Sequence, residues 1–594
     1  MSPLFMFQFV LYSFCIQLFT LFTYVVYYSD FLSVQFRDEL LPEYDYIIVG
    51  SGTAGSVIAH RLATETNYSF IVLEAGSRSH FLLDIPIVGP AIHRSLFDWL
   101  YETVPQDNAC FAMENKQCRL PQGKILGGSS KLNNMIHFRG NTSHYVQWFH
   151  GKHTEVYITE QFDFLENNLL HLDSLQHESD IANAILNASK EIGFNQLKKS
   201  SIGFSKSKLS QKDGKRWSMS DNLVVSEHIA TNALVKKVII KDKQACGVEL
   251  LLGNNNKKIV AKKGVILSAG AFNSPSILQR SGIGPSKLLQ SLSIPVVKDL
   301  PVGENLQDHI GTGLDLVLLH KFPKIGAHDV VNPVNSIQYF LQGKGPLTTP
   351  GCEVVGFVST KNESMPDLQF MVLPTGISSD RGSRLRKSLG IIDSVWNEYF
   401  VKIFDKYTAS IVPIILHPKS KGTVFISNKD PKIAPIIDPK YLNKKEDRKI
   451  LIEGLKMVRK LVETKSMKNI EAYMNPLPFP GCVEHKIFSD DYWECYIKHL
   501  TLSSYHPVGT CSMGLPGNAV VDTNFKVFGI TNLYVADASV LPTLPSGNIN
   551  AAVAMMASVF FDENIKTRYV GVCLKNDNFN EYLFNLCVKG ISEL

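Results

Sequence analysis

The stretch Tyr44-Asp45-Tyr46-Ile47-Ile48-Val49-Gly50-Ser51-Gly52-Thr53-Ala54-Gly55 decides the fold. Its first half is a short apolar run of strand character, its second half a glycine turn, and Val57 to Ala63 follows with helical spacing. Strand, turn and helix in this order make the start of a Rossmann βαβ unit. Gly50 permits the tight turn, Gly52 lets a pyrophosphate approach the backbone, and Gly55 lets helix and strand pack closely. Thr53 and Ala54 open the helix, whose N-terminal amides face the anion. A glycine turn alone is common, so the next strand matters. Phe70-Ile71-Val72-Leu73 ends in Glu74, close to the spacing of about 20 residues at which an acid accepts from a ribose 2′-hydroxyl and disfavours a 2′-phosphate. Together these features imply a non-phosphorylated adenine dinucleotide and do not separate FAD from NAD.

Six more segments follow: Gly123-Lys124-Ile125-Leu126-Gly127-Gly128-Ser129-Ser130-Lys131-Leu132-Asn133, Gly270-Ala271-Phe272-Asn273-Ser274-Pro275 running to Gly284, Pro301-Val302-Gly303-Glu304-Asn305-Leu306-Gln307-Asp308-His309, Tyr505-His506-Pro507-Val508-Gly509-Thr510-Cys511, Val535-Ala536-Asp537-Ala538-Ser539 and Ser546-Gly547-Asn548-Ile549-Asn550. Each alone reads as a turn. In this order they resemble the glucose-methanol-choline (GMC) family of FAD oxidoreductases, over about residues 44 to 560. Pro480-Gly481-Cys482 with Asp490-Asp491-Tyr492-Trp493-Glu494-Cys495 is similar to the insect glucose dehydrogenase (FAD, quinone)-like branch.

The resemblance implies an α/β fold: a discontinuous Rossmann-like FAD-binding domain over 44–312 and 505–566, with an α+β substrate-binding domain built on an antiparallel sheet over 313–504. Val265-Ile266-Leu267 and Leu533-Tyr534-Val535 read as strands joining the sheet begun at Tyr46, and Gly422-Thr423-Val424-Phe425-Ile426 suits the sheet capping the flavin. Residues 567–594 are a tail without assigned role.

Oxidising an alcohol needs a base for the hydroxyl proton while hydride leaves carbon, and histidine suits that task. Of 17 histidines, His506 stands where the family has its catalytic one. Asn550 is expected to hydrogen-bond the substrate oxygen as the family's second His or Asn does. Gly127, Ser130, Asn133, Asn134, Met135, Asp537, Ala538 and Asn548 are implied cofactor contacts, with Val235 near the adenine. Leu132 occupies the position at which some members attach flavin to a histidine, so non-covalent FAD is expected. The segment after Trp148 is shorter than in relatives, which suggests an altered pocket cover. The implied reaction is oxidation of the CH–OH group of a sugar or other alcohol, with a quinone or oxygen as acceptor. A secreted flavin-binding paralogue with impaired turnover and a hydroxynitrile lyase-like enzyme are the alternatives.

Composition agrees with export. A chain of 594 residues that is 45% apolar can build more than one core, and a net charge of +5 with no basic run points to no nucleic acid. Leu4 to Tyr28 carries no charge and reads as a signal peptide within 1–28, or as a membrane anchor through 4–28. Asn67, Asn141, Asn187 and Asn362 begin glycosylation triplets. Among ten cysteines, Cys110 with Cys118 and Cys482 with Cys495 flank short loops and are expected to bridge; buried free thiols are the alternative in a reducing compartment. No ligand spacing suggests a metal.

Overall fold

Glu43–Val49 runs between two parallel neighbours in the computed structural model, which describes residues 40–197, 202–223, 228–320, 332–361 and 363–566, together with Gln17. Its register pairs Tyr46 with Phe70 on one side and with Gly264 on the other, and Val49 with Leu73 and Leu267. A strand enclosed on both edges and both faces needs a near-continuous apolar run, which Tyr46 to Val49 supplies, all four buried. Leu533–Val535 lies parallel to Val265–Leu267, and Ile229–Ala230 to the end of Phe70–Leu73. The strand Asn255–Leu267 also carries the antiparallel hairpins Ala233–Lys241 and Gln244–Leu252 on its first half. The helices Thr53–Glu65 and Ile549–Phe561 pack together; the second is buried all round, the property of a core helix.

The second sheet is antiparallel, in the order Ala472–Met474, Val317–Leu319, Tyr407–Ile415, Leu368–Leu373, Val354–Val358, Gly203–Lys206, with Ile310–Gly311 and Leu502–Ser503 added at Tyr407–Ile415. Along Tyr407–Ile415, Ser410, Val412 and Ile414 face the cleft between the sheets, whereas Pro413 meets Gly454 of the helix Lys445–Val462.

Two expectations change. The first domain does not run unbroken over 44–312: Gly203–Lys206 pairs with Val354–Val358, and the helix Asp180–Glu191 packs in the second core. Among the described residues Thr423–Phe425 pairs with Ile436–Asp438 alone, against the helix Gly270–Arg280, and not with the capping sheet. The expected bridges Cys110–Cys118 and Cys482–Cys495 are both formed. Asn362, the tail 567–594 and, Gln17 apart, the leader lie outside the described residues; among those described, no helix is long and apolar enough to cross a membrane.

Candidate active site

Four of the parallel strands, Glu43–Val49, Phe70–Leu73, Asn255–Leu267 and Leu533–Val535, end at one cleft, which Gly50, Glu74, Ser268 and Asp537 line just beyond them. Ligands bind open α/β sheets at these carboxyl ends. The cavity measures about 1150 Å³, more than the ~300–1,000 Å³ of an ordinary small-molecule pocket.

Its floor fits a dinucleotide. A Cβ on Gly50 (φ +99°) would stand 2.4 Å from the Ser268 carbonyl oxygen, and one on Gly55 2.0 Å from that of Gly50, so both glycines are required by packing. Gly52 has open space there and faces the cleft with Thr53 and Ala54. The Glu74 carboxylate accepts from Ser51 N–H at 3.0 Å, from Ser51 Oγ at 2.6 Å and from Gly76 N–H at 2.8 Å. Burial pushes its pKa up, against these donors and the Ala75 backbone N–H, and the residue lines the cleft.

Ser130, Asn133, Asn134, Met135, Val235 and Ala538 line the same cleft. Gly127 does not. It stands behind the wall, where a Cβ would meet Ser220 and Lys131, while Gly128 (φ +56°) would put a Cβ 3.0 Å from Gly52 Cα and forms the wall itself. Asp537 accepts from Gly270 N–H and Ser274 Oγ with one oxygen and from Ser539 with the other, and so holds the turn at the start of Gly270–Arg280. Leu132 lines the cleft and offers no nucleophile.

His506 is half-buried beside this floor. Its Nδ1 lies 2.9 Å from Nδ1 of His309, whose Nε2 lies 3.1 Å from the Leu416 carbonyl. Burial, then the neighbouring His506 and His417, hold His309 well below the usual imidazole range, and burial pushes His506 down to about 4. Both are therefore neutral at pH 7, and their partners assign the tautomers. His309 must donate from Nε2 to the carbonyl, so its Nδ1 accepts. His506 then donates from Nδ1 and carries a lone pair on Nε2.

That Nε2 lies 3.3 Å from Nδ2 of Asn548. Gln369 Nε2 donates to Asn548 Oδ1 at 3.0 Å, which aims the Asn548 amino group at His506. Asn550, the residue expected there, instead accepts from Thr53 Oγ1 at 2.6 Å. Asn548 is the N-cap of Ile549–Phe561 and Asn550 stands in its first turn, and both line the cleft. Asp308 accepts from the backbone N–H of His506 at 2.9 Å and from the hydroxyls of Tyr441 and Ser503, fixing the loop; burial pushes it up to about 6 against those donors.

Sequence reasoning assigned no role to His309, although it ends one of the quoted segments. Its partner is 197 positions away, and no local spacing announces such a pair. His137 bonds Glu166 at 2.8 Å and does not reach the cleft. The shortened segment after Trp148 does not cover the pocket either: Phe149 packs on Phe525, Lys152 reaches Asn524 and Glu563, and no residue from 149 to 182 lines the cleft. Cys482 and Cys495 stand near His499, but as a disulfide they offer no thiolate to a metal.

The GMC oxidoreductase family models match residues 44–311 and 418–557. The chain belongs to the GMC oxidoreductase family. Among its relatives, glucose dehydrogenase [FAD, quinone] of Drosophila melanogaster is 31% identical over 566 residues, covering 88% of this chain and 87% of that one. Alcohol dehydrogenase [acceptor] of Pseudomonas putida is 31% identical over 86% of this GMC chain and 94% of its own. In fold, a formate oxidase superposes with a TM-score of 0.76 at 23% identity, covering 88% of this chain and 98% of that structure.

Proposed function

We propose that this protein oxidises the CH–OH group of an alcohol with His506 Nε2 as the base and Asn548 as the donor to the alcohol oxygen. By family it is an FAD-dependent oxidoreductase of CH–OH donors. The observation that carries the finer reading is the tautomer chain from Leu416 through His309 to His506, which leaves a lone pair at the cleft. FAD, when bound, supplies the hydride acceptor. Gly52, Gly128 and the amides opening Thr53–Glu65 would hold its pyrophosphate, and Glu74 its ribose.

The chain's own work is proton handling. The alcohol proton passes to His506 Nε2 as hydride leaves its carbon, which becomes a carbonyl. The imidazolium so formed keeps its Nδ1–H on the lone pair of His309. Asn548 Nδ2, aimed by Gln369, donates to the oxygen as negative charge develops there. Leu132 supports non-covalent FAD, so acid precipitation should release all the flavin. The acceptor is a quinone or oxygen, as the relative's name suggests for the first. Two disulfides and the uncharged stretch Leu4 to Tyr28 support a secreted or membrane-anchored protein.

The test is an absorbance spectrum of the holoprotein, followed anaerobically while alcohols and sugars are added. Bleaching of the flavin bands by one of them bears the reading out; flavin that no alcohol reduces would overturn it.

A further inference from the structure

The wall above His506 says what kind of alcohol fits, a step that rests on the function proposed above. Between the His506 end and the far end of the cleft, the antiparallel sheet presents Ile414, Val412 and Ser410 from one strand and Met371 and Leu373 from its neighbour. None of these carries a charge. Ile414 and Ser410 are four residues apart, about 14 Å at the rise of an antiparallel strand. The Ile414 end adjoins Leu416, the partner of His309, so it is the reacting end.

Charge enters at the other end. The chain leaving Leu373 forms a lip on which Asp380, Arg381 and Arg384 line the cleft, and both arginines are exposed. The Asp380 carboxylate accepts from the backbone N–H groups of Gly382, Arg384 and Leu385, at 2.9, 2.8 and 2.8 Å, so it is engaged by its own loop. Neither guanidinium has a carboxylate partner among the described residues. The polar groups gather at the reacting end, Asn548 with Gln369 behind it, whereas from there to the lip the sheet wall offers one serine and otherwise aliphatic or thioether groups, which suits an apolar chain better than a ring of hydroxyls.

We infer that the substrate is an elongated, mainly apolar alcohol with an anionic group remote from its hydroxyl, the carboxylate or equivalent resting on Arg381 and Arg384. The sheet excludes water from the carbon that loses hydride, and the arginine pair anchors the far end.

The experiment uses the FAD-loaded protein under anaerobic stopped flow, with 6-hydroxyhexanoate, 12-hydroxydodecanoate, 1-dodecanol and glucose as reductants. 12-Hydroxydodecanoate should reduce the flavin with the highest second-order rate constant, and its advantage over 1-dodecanol should shrink when salt is raised. In Arg381→Gln/Arg384→Gln that advantage should fall about tenfold, from two partly exposed ion pairs. Faster reduction by glucose, or an advantage that the double variant leaves intact, overturns the inference while the oxidoreductase reading stands. If no alcohol reduces the flavin, that reading fails, and the pocket is judged separately by titrating the oxidised flavin spectrum with dodecanedioate. An about tenfold weaker affinity in the double variant supports the anionic site, and an equal affinity overturns it.

Discussion

His506 and His309 form a unit in which one imidazole reacts and the other positions it. His506→Ala should retain FAD and lower the rate of flavin reduction by ~10²–10⁴-fold, the span of general base catalysis; undiminished reduction would remove it from the role. Because the base must be unprotonated and burial holds His506 at about 4, the rate should stay flat from neutral pH to about 5 and fall as the pH drops through 4. His309 must accept from one neighbour and donate to another, and a glutamine can do both. His309→Ala should therefore slow reduction about tenfold and His309→Gln should restore most of it; equal losses in the two would make His309 a packing residue. Asn548→Ala should cost up to ~10²–10³-fold, the loss seen when one donor to a developing oxyanion is removed, whereas Asn550→Ala should weaken FAD retention and spare the rate. A reversal of that pair would restore the role first expected of Asn550. His506 was legible because its segment has family context. The contact of Asn548 with His506 was not, since only the path of the helix start tells which of two asparagines comes within reach of the histidine.

The helices Thr53–Glu65 and Ile549–Phe561 bring the dinucleotide floor and Asn548 to one place, and Arg61 ties them. Its guanidinium, 4% exposed, bonds Glu65 at 2.6 Å, Asp562 at 2.8 Å and the Ser558 carbonyl at 3.0 Å. It also lies over the rings of Phe164 and Phe561. Breaking a buried pair by removing one partner costs about 3–5 kcal/mol. Glu65 and Asp562 reach solvent, at 27% and 24% exposure, so Arg61→Ala should cost about 3 kcal/mol, the low end of that span. The denaturant midpoint should fall accordingly; an unchanged midpoint would show that helix packing alone holds the pair. The parallel strands could be read from sequence because a strand enclosed on both sides is apolar throughout, as Ile47-Ile48-Val49 is. Gly203–Lys206 could not: four mixed residues at a sheet edge have no period, and their pairing with Val354–Val358 is fixed only by the tertiary fold. Thr423–Phe425 misled in the opposite sense, since alternation marks a half-buried strand without naming its sheet.

At the scale of the whole molecule the two bridges carry the argument about compartment, because they stand around the segment that leads to the base. Phe111 and Ala112, inside the Cys110–Cys118 loop, donate their N–H groups to the carbonyls of Lys498 and His499, and Cys495 lies in the helix Asp490–His499 that ends there. From that end the chain passes through Leu502–Ser503 in the second sheet to His506. Closures of 8 and 13 residues are each worth about 2.5–3 kcal/mol in the chain-entropy account. Protein made in a reducing cytosol should then unfold at lower denaturant than protein passed through the secretory route, and dithiothreitol should bring the second to the first. Glycans should distinguish the two as well. Asn67 and Asn187 are exposed, whereas Asn141 caps the helix Thr142–Trp148 by accepting from Ser143 N–H. Asn141 is less exposed than the other two and its side chain is fixed by the cap, so peptide mapping of the secreted protein should find Asn67 and Asn187 more fully occupied than Asn141. If both bridges stayed reduced and no glycan appeared, export would be the wrong reading. The dinucleotide floor, built on Gly50, Gly52 and Glu74 at the ends of the parallel strands, would keep its flavin in both preparations.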